Sequence, residues 1–319
     1  GTDSVFVRLT NGERVAYGEA TLPPYLKETQ HTVHEELVSF WLNMKRGRLE
    51  SNWGDATQTL SSPARAAFQM AYNGLNNRDI SSKESSDDNG SARGLAMVTV
   101  GMGQVDDIAL KLSELPFSPV LKVKLGSSND LLTIEMIKRL DNRKIFLDAN
   151  QGWSSVDHAL RVIEAAGPAH VIGLEQPFPK DRWDLHQELK SRTDVPIYAD
   201  ESIQGPADLE RAPEVFDGVN LKLMKCGGLD IAEQMAERAR ELGLRVMLGS
   251  MSESSLGCGT MALLADRADL LDLDGPWLIK NDPFTGLRME QGKLVLGGSG
   301  PNGVELREPS PLEFITIGA

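Results

Sequence analysis

Cysteine is scarce. The 319-residue chain carries only Cys226 and Cys258, too few for a disulfide framework or a four-cysteine zinc site. Cys226 stands beside a Gly-Gly turn with no paired histidine in view, so a buried thiol is expected rather than a nucleophile. Basic charge is also in deficit. Against 46 Asp and Glu there are 33 Lys and Arg, a net charge of −13, which argues against the basic face of a nucleic-acid binder. An acidic substrate stays open, because the local field of a site can oppose the global sign. No apolar run approaches the ~18 residues of a membrane span, and no signal-type apolar segment opens the chain. The expectation is a cytoplasmic protein with neither membrane nor nucleic acid as partner. The remaining composition is that of an ordinary globular enzyme-sized chain.

The chain reads as three parts. Val5–Leu9 and Val15–Gly18 flank Asn11-Gly12, the pattern of a β-hairpin. Apolar residues then recur at helical spacing from His34 to Leu49 and from Ala64 to Asn76. Residues 81–91 are polar and aperiodic, which predicts an exposed linker. Beyond them eight short apolar runs follow at intervals of roughly two dozen residues: Ala96–Gly101, Leu121–Leu125, Ile145–Asn150, Val171–Pro177, Ile197–Ser202, Gly218–Leu223, Arg245–Ser250 and Leu270–Gly275. Amphipathic segments such as Leu229–Leu242 separate most of them. Strand and helix alternating at this period predict parallel βα units, and eight of them favour a TIM-type barrel. A doubly wound sheet is the alternative, but its glycine fingerprint is missing. No eighth helix follows Gly275, and Lys293–Leu296 reads as a strand outside the barrel. The expected division is 1–93 for cap and linker, 94–281 for the barrel, and 282–319 for a segment returning to the cap.

Catalytic groups of such a barrel sit at the C-terminal ends of its strands. There the runs carry Lys122 and Lys124, then Asp148 and Asn150, Glu175, Asp200 and Glu201, Lys222, and finally Asp272 and Asp274. Charges inside apolar strands are costly unless paired or bound to metal. Asp148, Glu175 and Asp200 lie on three successive strands about 4.8 Å apart, so their carboxylates are expected to converge. Unneutralised, they would repel, and a divalent cation resolves that repulsion; all-oxygen ligation favours Mg²⁺ or Mn²⁺. Lys124 and Lys222 fall on opposite sides of an eight-stranded ring and flank this cluster. Lys122 and Lys124 share a face, and two adjacent ammonium groups depress each other's pKa, which would suit a base. Strand spacing alone does not separate that reading from lysines that merely neutralise the carboxylates.

These motifs together resemble the muconate-lactonizing subgroup of the enolase superfamily: Lys122-Val-Lys124, Asp148-Ala-Asn150, Glu175-Gln-Pro177, Ala199-Asp-Glu-Ser202, and Asn220-Leu-Lys-Leu223 with Gly227-Gly228. Leu271-Asp-Leu-Asp-Gly275 and Met247-Leu-Gly-Ser-Met251 narrow the likeness to the dipeptide epimerases, of the L-Ala-D/L-Glu epimerase kind. The resemblance implies a modified (β/α)7β barrel capped by an α+β domain built from both chain ends. It implies one Mg²⁺ on Asp148, Glu175 and Asp200, with Asn150 and Glu201 in support. It makes Lys124 and Lys222 an acid/base pair assisted by Lys122, and gives Asp272 and Asp274 the α-ammonium of a dipeptide, with Ser250 and Met251 against the substrate. The implied reaction is a two-base 1,1-proton transfer through an enediolate at the C-terminal residue of the dipeptide.

Relatives of this kind begin with a further strand and a loop that closes over the substrate, so more chain is expected before Gly1, and the dipeptide preference is not legible. Pro23-Pro-Tyr-Leu-Lys27 is expected to wall the cap. The rivals on the same scaffold are o-succinylbenzoate synthesis, muconate cycloisomerisation and N-acylamino-acid racemisation. The Asp272/Asp274 pair weighs against them, since their substrates carry no ammonium. A metal-free Schiff-base aldolase would use a barrel lysine without three carboxylates. A homo-oligomer stays open.

Overall fold

The computed structural model describes residues 2–46, 56–76, 94–101 and 105–317. The expected linker at 81–91 and positions 47–49 of the first expected helix lie outside the described residues. Strands β1 (Asp3–Asn11) and β2 (Arg14–Leu22) pair antiparallel in the expected hairpin. Gly12 turns it with φ +60°, a left-handed value that glycine adopts without strain. Helix α1 (Gln30–Lys45) starts earlier than the apolar spacing indicates, because a polar cap sets its start. The Thr29 hydroxyl accepts from Thr32 N, and the Thr32 hydroxyl accepts from Thr29 N. Helix α2 (Ser62–Leu75) lies against the hairpin so closely that a Cβ on Gly18 would stand 1.8 Å from the carbonyl oxygen of Ala67.

The eight apolar runs all become strands of one closed parallel barrel. They are β3 (Leu95–Val100), β4 (Val120–Lys124), β5 (Lys144–Asp148), β6 (Val171–Glu175), β7 (Ile197–Ala199), β8 (Gly218–Lys222), β9 (Arg245–Gly249) and β10 (Leu270–Asp272). Around the ring the order is β3 to β10 in sequence, with β10 closing on β3. The outer helices are α3 (Val105–Glu114), α4 (Asp130–Leu140), α5 (Val156–Ala166), α6 (Trp183–Lys190), the single turns α7 (Pro206–Leu209) and α8 (Leu223–Cys226), then α9 (Leu229–Glu241) and α10 (Ser255–Ala262). After β10 only the one-turn α11 (Gly275–Leu278) follows, in keeping with seven βα units and an unaccompanied eighth strand. No helix among the described residues is long and apolar enough to cross a membrane.

The interior explains the pattern. Side chains alternate between lumen and outer layer. At the N-terminal end the lumen is plugged by Met97, Val120, Phe146, Tyr198, Met247 and Leu270. Gly173 and Gly218 make room there, since a Cβ would come within 2.4 Å of Phe146 and 2.3 Å of Tyr198 respectively. Two residues further along the strands, the lumen turns polar. The chain then runs outside the barrel through β11 (Phe284–Thr285), β12 (Leu287–Glu290), β13 (Lys293–Leu296) and β14 (Glu305–Leu306). Here β12 pairs with β13 and β11 with β14. Phe284 and Phe314 pack on Tyr17 of the hairpin at centroid distances of 5.4 and 5.9 Å, so the C-terminal segment meets the N-terminal one.

Candidate active site

The polar layer sits where β4 to β8 and β10 reach the C-terminal mouth. Register brings Lys124, Asp148 and Glu175 side by side on β4, β5 and β6. Asp200 follows β7 one residue beyond its end. Lys124 and Lys222 stand on β4 and β8, four strands apart in a ring of eight, and so face each other across the lumen.

Lys122 is the hub. Its ammonium lies 2.9 Å from Asp148 Oδ2, 2.6 Å from Glu175 Oε2 and 2.5 Å from Asp272 Oδ2, and its side chain is 1% exposed. Lys124, its side chain one-third exposed, donates through Nζ to Asp148 Oδ2 at 2.6 Å. Lys222 Nζ donates to Asp200 Oδ2 at 2.6 Å. Lys225, in α8, gives Asp200 a second ammonium at 2.6 Å and also donates to the carbonyls of Asp200 and Asn220.

This arrangement corrects two expectations. Burial pulls the Lys122 ammonium down, but Asp148, Asp272 and Glu175 more than offset it and hold its pKa well above the ordinary lysine value. For Lys122 the expected depression is thus outweighed by carboxylates contributed from other strands. Lys222 is likewise pushed up: burial opposes its charge, while Asp200 and Glu175 favour it. The three carboxylates are also not unneutralised. Burial would raise Asp148 and Asp200, yet their lysines hold both below the usual carboxylate range. Glu175 differs. Burial and the charge of Asp148 push it up to about 8 despite Lys122.

The chemistry of this donor set suits a divalent cation. The groups are all-oxygen, acidic and buried, and Glu175 Oε2, close as it is to Lys122, has no hydrogen bond of acceptable geometry. Among the described residues, however, no three acidic, cysteine or histidine side chains converge on one metal-sized point. Each carboxylate is instead drawn to an ammonium.

The other residues read from the sequence divide. Asn150 supports Asp148 through its backbone, N to Oδ1 at 3.1 Å, while the residue itself is exposed. A left-handed φ of +44° turns this residue out of the strand and leaves its backbone N–H on the carboxylate. Glu201 is raised by burial and by Asp200, and its Oε2 is buried without a hydrogen bond. Asp274 Oδ2 accepts from Thr99 N at 2.5 Å, and burial followed by Asp272 raises the carboxyl to about 6. Ser250 N and Oγ both donate to the carbonyl of Asp272, at 3.1 and 3.3 Å, tying the β9 end to the β10 end. Met251 Sδ accepts from the hydroxyl of Tyr25, which reaches over from the cap at 2.8 Å.

Three further residues belong to the site. Asn220 Nδ2 donates to Glu175 Oε1 at 2.6 Å, and Gly249 leaves room for its amide, since a Cβ there would stand 2.3 Å from Oδ1. Its position two before Lys222 marks it as facing the lumen. Gln176 Oε1 accepts from the backbone of Asp200 and Ser202, while its amide donates to Ser202 Oγ and the Phe178 carbonyl. It thereby fixes the β7 end relative to β6. Tyr25 had no signal beyond its place in a Pro-Pro-Tyr loop.

Residues 118–269 match the family described as enolase C-terminal domain-like. The chain is 33% identical over 309 residues to an L-Ala-D/L-Glu epimerase of Bacteroides thetaiotaomicron, covering 92% of this chain and 79% of that protein. It is similar to the substrate-liganded L-Ala-D/L-Glu epimerase from Bacillus subtilis, with a TM-score of 0.78, 27% identity and coverage of 95% and 91%. It shares its fold with a dipeptide epimerase from Enterococcus faecalis V583 complexed with Mg and the dipeptide L-Leu-L-Tyr, with a TM-score of 0.80, 24% identity and coverage of 95% and 92%.

Proposed function

The chain belongs to the dipeptide epimerases of the enolase superfamily, and from that premise we propose that it inverts the α-carbon of the C-terminal residue of a dipeptide. The observation that carries the reading is the opposition of Lys124 and Lys222 across the lumen, with acidic groups between them. Inversion by proton transfer needs a group on each face of the α-carbon. One lysine must be neutral to accept the proton while the other is charged to return one. Lys222, held as an ammonium by Asp200, is poised as the acid in this arrangement.

Asp148, Glu175 and Asp200 are the residues that would hold one Mg²⁺. Bound there, the ion supplies positive charge to stabilise the substrate carboxylate as negative charge builds on it. Lys122 adds a fixed ammonium at the same end of the site, and Asn220 and Lys225 orient Glu175 and Asp200. Asp272 and Asp274 take the α-ammonium of the substrate; a compact three-donor cation suits two carboxylates. Ser250 and Met251 form the adjoining wall, under Tyr25.

Acetylating the amino group of an accepted dipeptide separates this reading from N-acylamino-acid racemisation. The loss of a charge-assisted contact to Asp272 and Asp274 is expected to lower kcat/KM by roughly 10- to 100-fold. Equal rates on the free and acetylated dipeptide, followed by polarimetry, would contradict the assignment of the pair.

A further inference from the structure

Two carboxylates outside the catalytic cluster face one another where the cap meets the barrel. Glu19, on β2, is fully buried, and both of its oxygens are met by donors. Thr21 Oγ1 and Ser254 N donate to its Oε1 at 2.8 and 3.0 Å, and Ser254 Oγ and Gly257 N donate to its Oε2 at 2.5 and 3.1 Å. Burial raises the Glu19 carboxyl above its ordinary value, and these four donors work against that rise. Glu253 is also buried, but its surroundings differ. Its Oε1 accepts from Met251 N at 3.0 Å, and its Oε2 has no hydrogen-bond partner. A Cβ built on Gly257 would stand 2.4 Å from Glu253 Oε2 and 3.1 Å from Glu19 Oε2, so both oxygens border the same small gap. The backbone of Glu253 in turn lies against Gly275, next to Asp274.

Of two buried carboxyls facing one another, the one with an empty oxygen is the costlier to ionise, since Glu19 has four donors and Glu253 one. A neutral carboxyl removes the repulsion and gives the empty oxygen a proton to direct at Glu19. We propose that Glu253 acts as a proton-bearing positioning residue that ties the Ser250–Met251 wall to the cap through Glu19. The inference rests on the epimerase reading only in that this wall meets the substrate. The groups facing the pair are Tyr25 from the cap loop, Lys222 from β8, Cys258 from α10 and, beyond Cys258, Asp274 after β10. Of these Lys222 favours ionised Glu253. Burial first, and Glu19 second, outweigh it and raise Glu253 to about 8.

Above that value a second charge appears opposite Glu19, and the Ser250–Glu253 loop is driven off the cap. The wild type should therefore lose dipeptide affinity at alkaline pH, with KM rising about 10-fold per pH unit once the proton is lost and kcat changing less. In Glu253→Gln the amide oxygen can keep the Met251 contact, and the NH₂ group faces Glu19 without titrating. The variant should work at neutral pH within about 3-fold of the wild type and lack the alkaline rise in KM.

A second readout needs no substrate. Because the folded state holds a proton that the unfolded state releases above its ordinary pKa, Glu253 contributes stability at low pH that is lost as pH rises towards about 8. The Tm of Glu253→Gln relative to wild type should therefore climb from pH 5 to pH 9. A constant Tm difference, or an alkaline rise in KM that survives in the variant, overturns the proposal. A wild type inactive on every dipeptide would instead overturn the epimerase reading, while the melting comparison would still decide the state of Glu253.

Discussion

Alanine in place of Lys222 is expected to lower epimerisation by roughly 10²–10⁴-fold, the range attributed to a positioned acid or base. Lys222 is the group on its side of the lumen, and Lys124 stands four strands away on the other. The variant therefore keeps one of the two groups. In D₂O it should wash the α-proton out of one epimer of the substrate while forming little of the other. Lys124→Ala should show the mirror behaviour, exchanging the opposite epimer. That reciprocal pattern, followed by NMR of the α-proton, distinguishes a two-sided mechanism from a general loss of binding, which would suppress exchange from both epimers alike. Full turnover by either variant would remove the two-base assignment.

The largest expected effect on stability lies at Lys122. Its buried ammonium is shared by Asp148, Glu175 and Asp272. Replacing it with Met preserves much of the volume and removes the charge. Asp148 retains Lys124 and Glu175 retains the amide of Asn220, but the cluster is left with uncompensated charge. Breaking a buried pair from one side costs about 3–5 kcal/mol, so the urea midpoint of Lys122→Met should fall by an amount matching that loss. Mg²⁺ should recover part of it, because a cation bound to the folded state alone raises stability with its concentration. An unchanged midpoint would show that the carboxylates do not depend on Lys122.

The barrel was legible because its evidence is local and repeated. Each strand is a short apolar run, most gaps hold an amphipathic helix, and the strand recurs eight times at a similar interval. The site residues were legible for a related reason: Asp148, Glu175 and Lys222 are charges inside apolar runs, where only a partner or a ligand tolerates them. What escaped the sequence was pairing across distance. Lys122 beside Lys124 reads locally as two repelling ammonium groups, yet its real neighbours include Asp272, 150 residues away. Glu19 and Ser254 are 235 residues apart, and neither segment announces the other. Asn150 occupies a strand-end position in the sequence, but a left-handed backbone turn after Asp148 leaves only its amide facing inward. The early start of α1 was set by two threonines rather than by apolar spacing.

On the reading proposed above, the site is built for reversible transfer of a proton at the α-carbon of a dipeptide. That transfer is tested most directly by incubating the protein with Mg²⁺ and a library of L,L-dipeptides in D₂O and following the α-position of each C-terminal residue by NMR and mass. Deuterium is expected at that position in at least one dipeptide, appearing in both epimers, with epimerisation abolished when Lys124 or Lys222 is replaced. An active-site cluster intact by metal binding and folding, with no α-deuterium in any dipeptide, would contradict that reading.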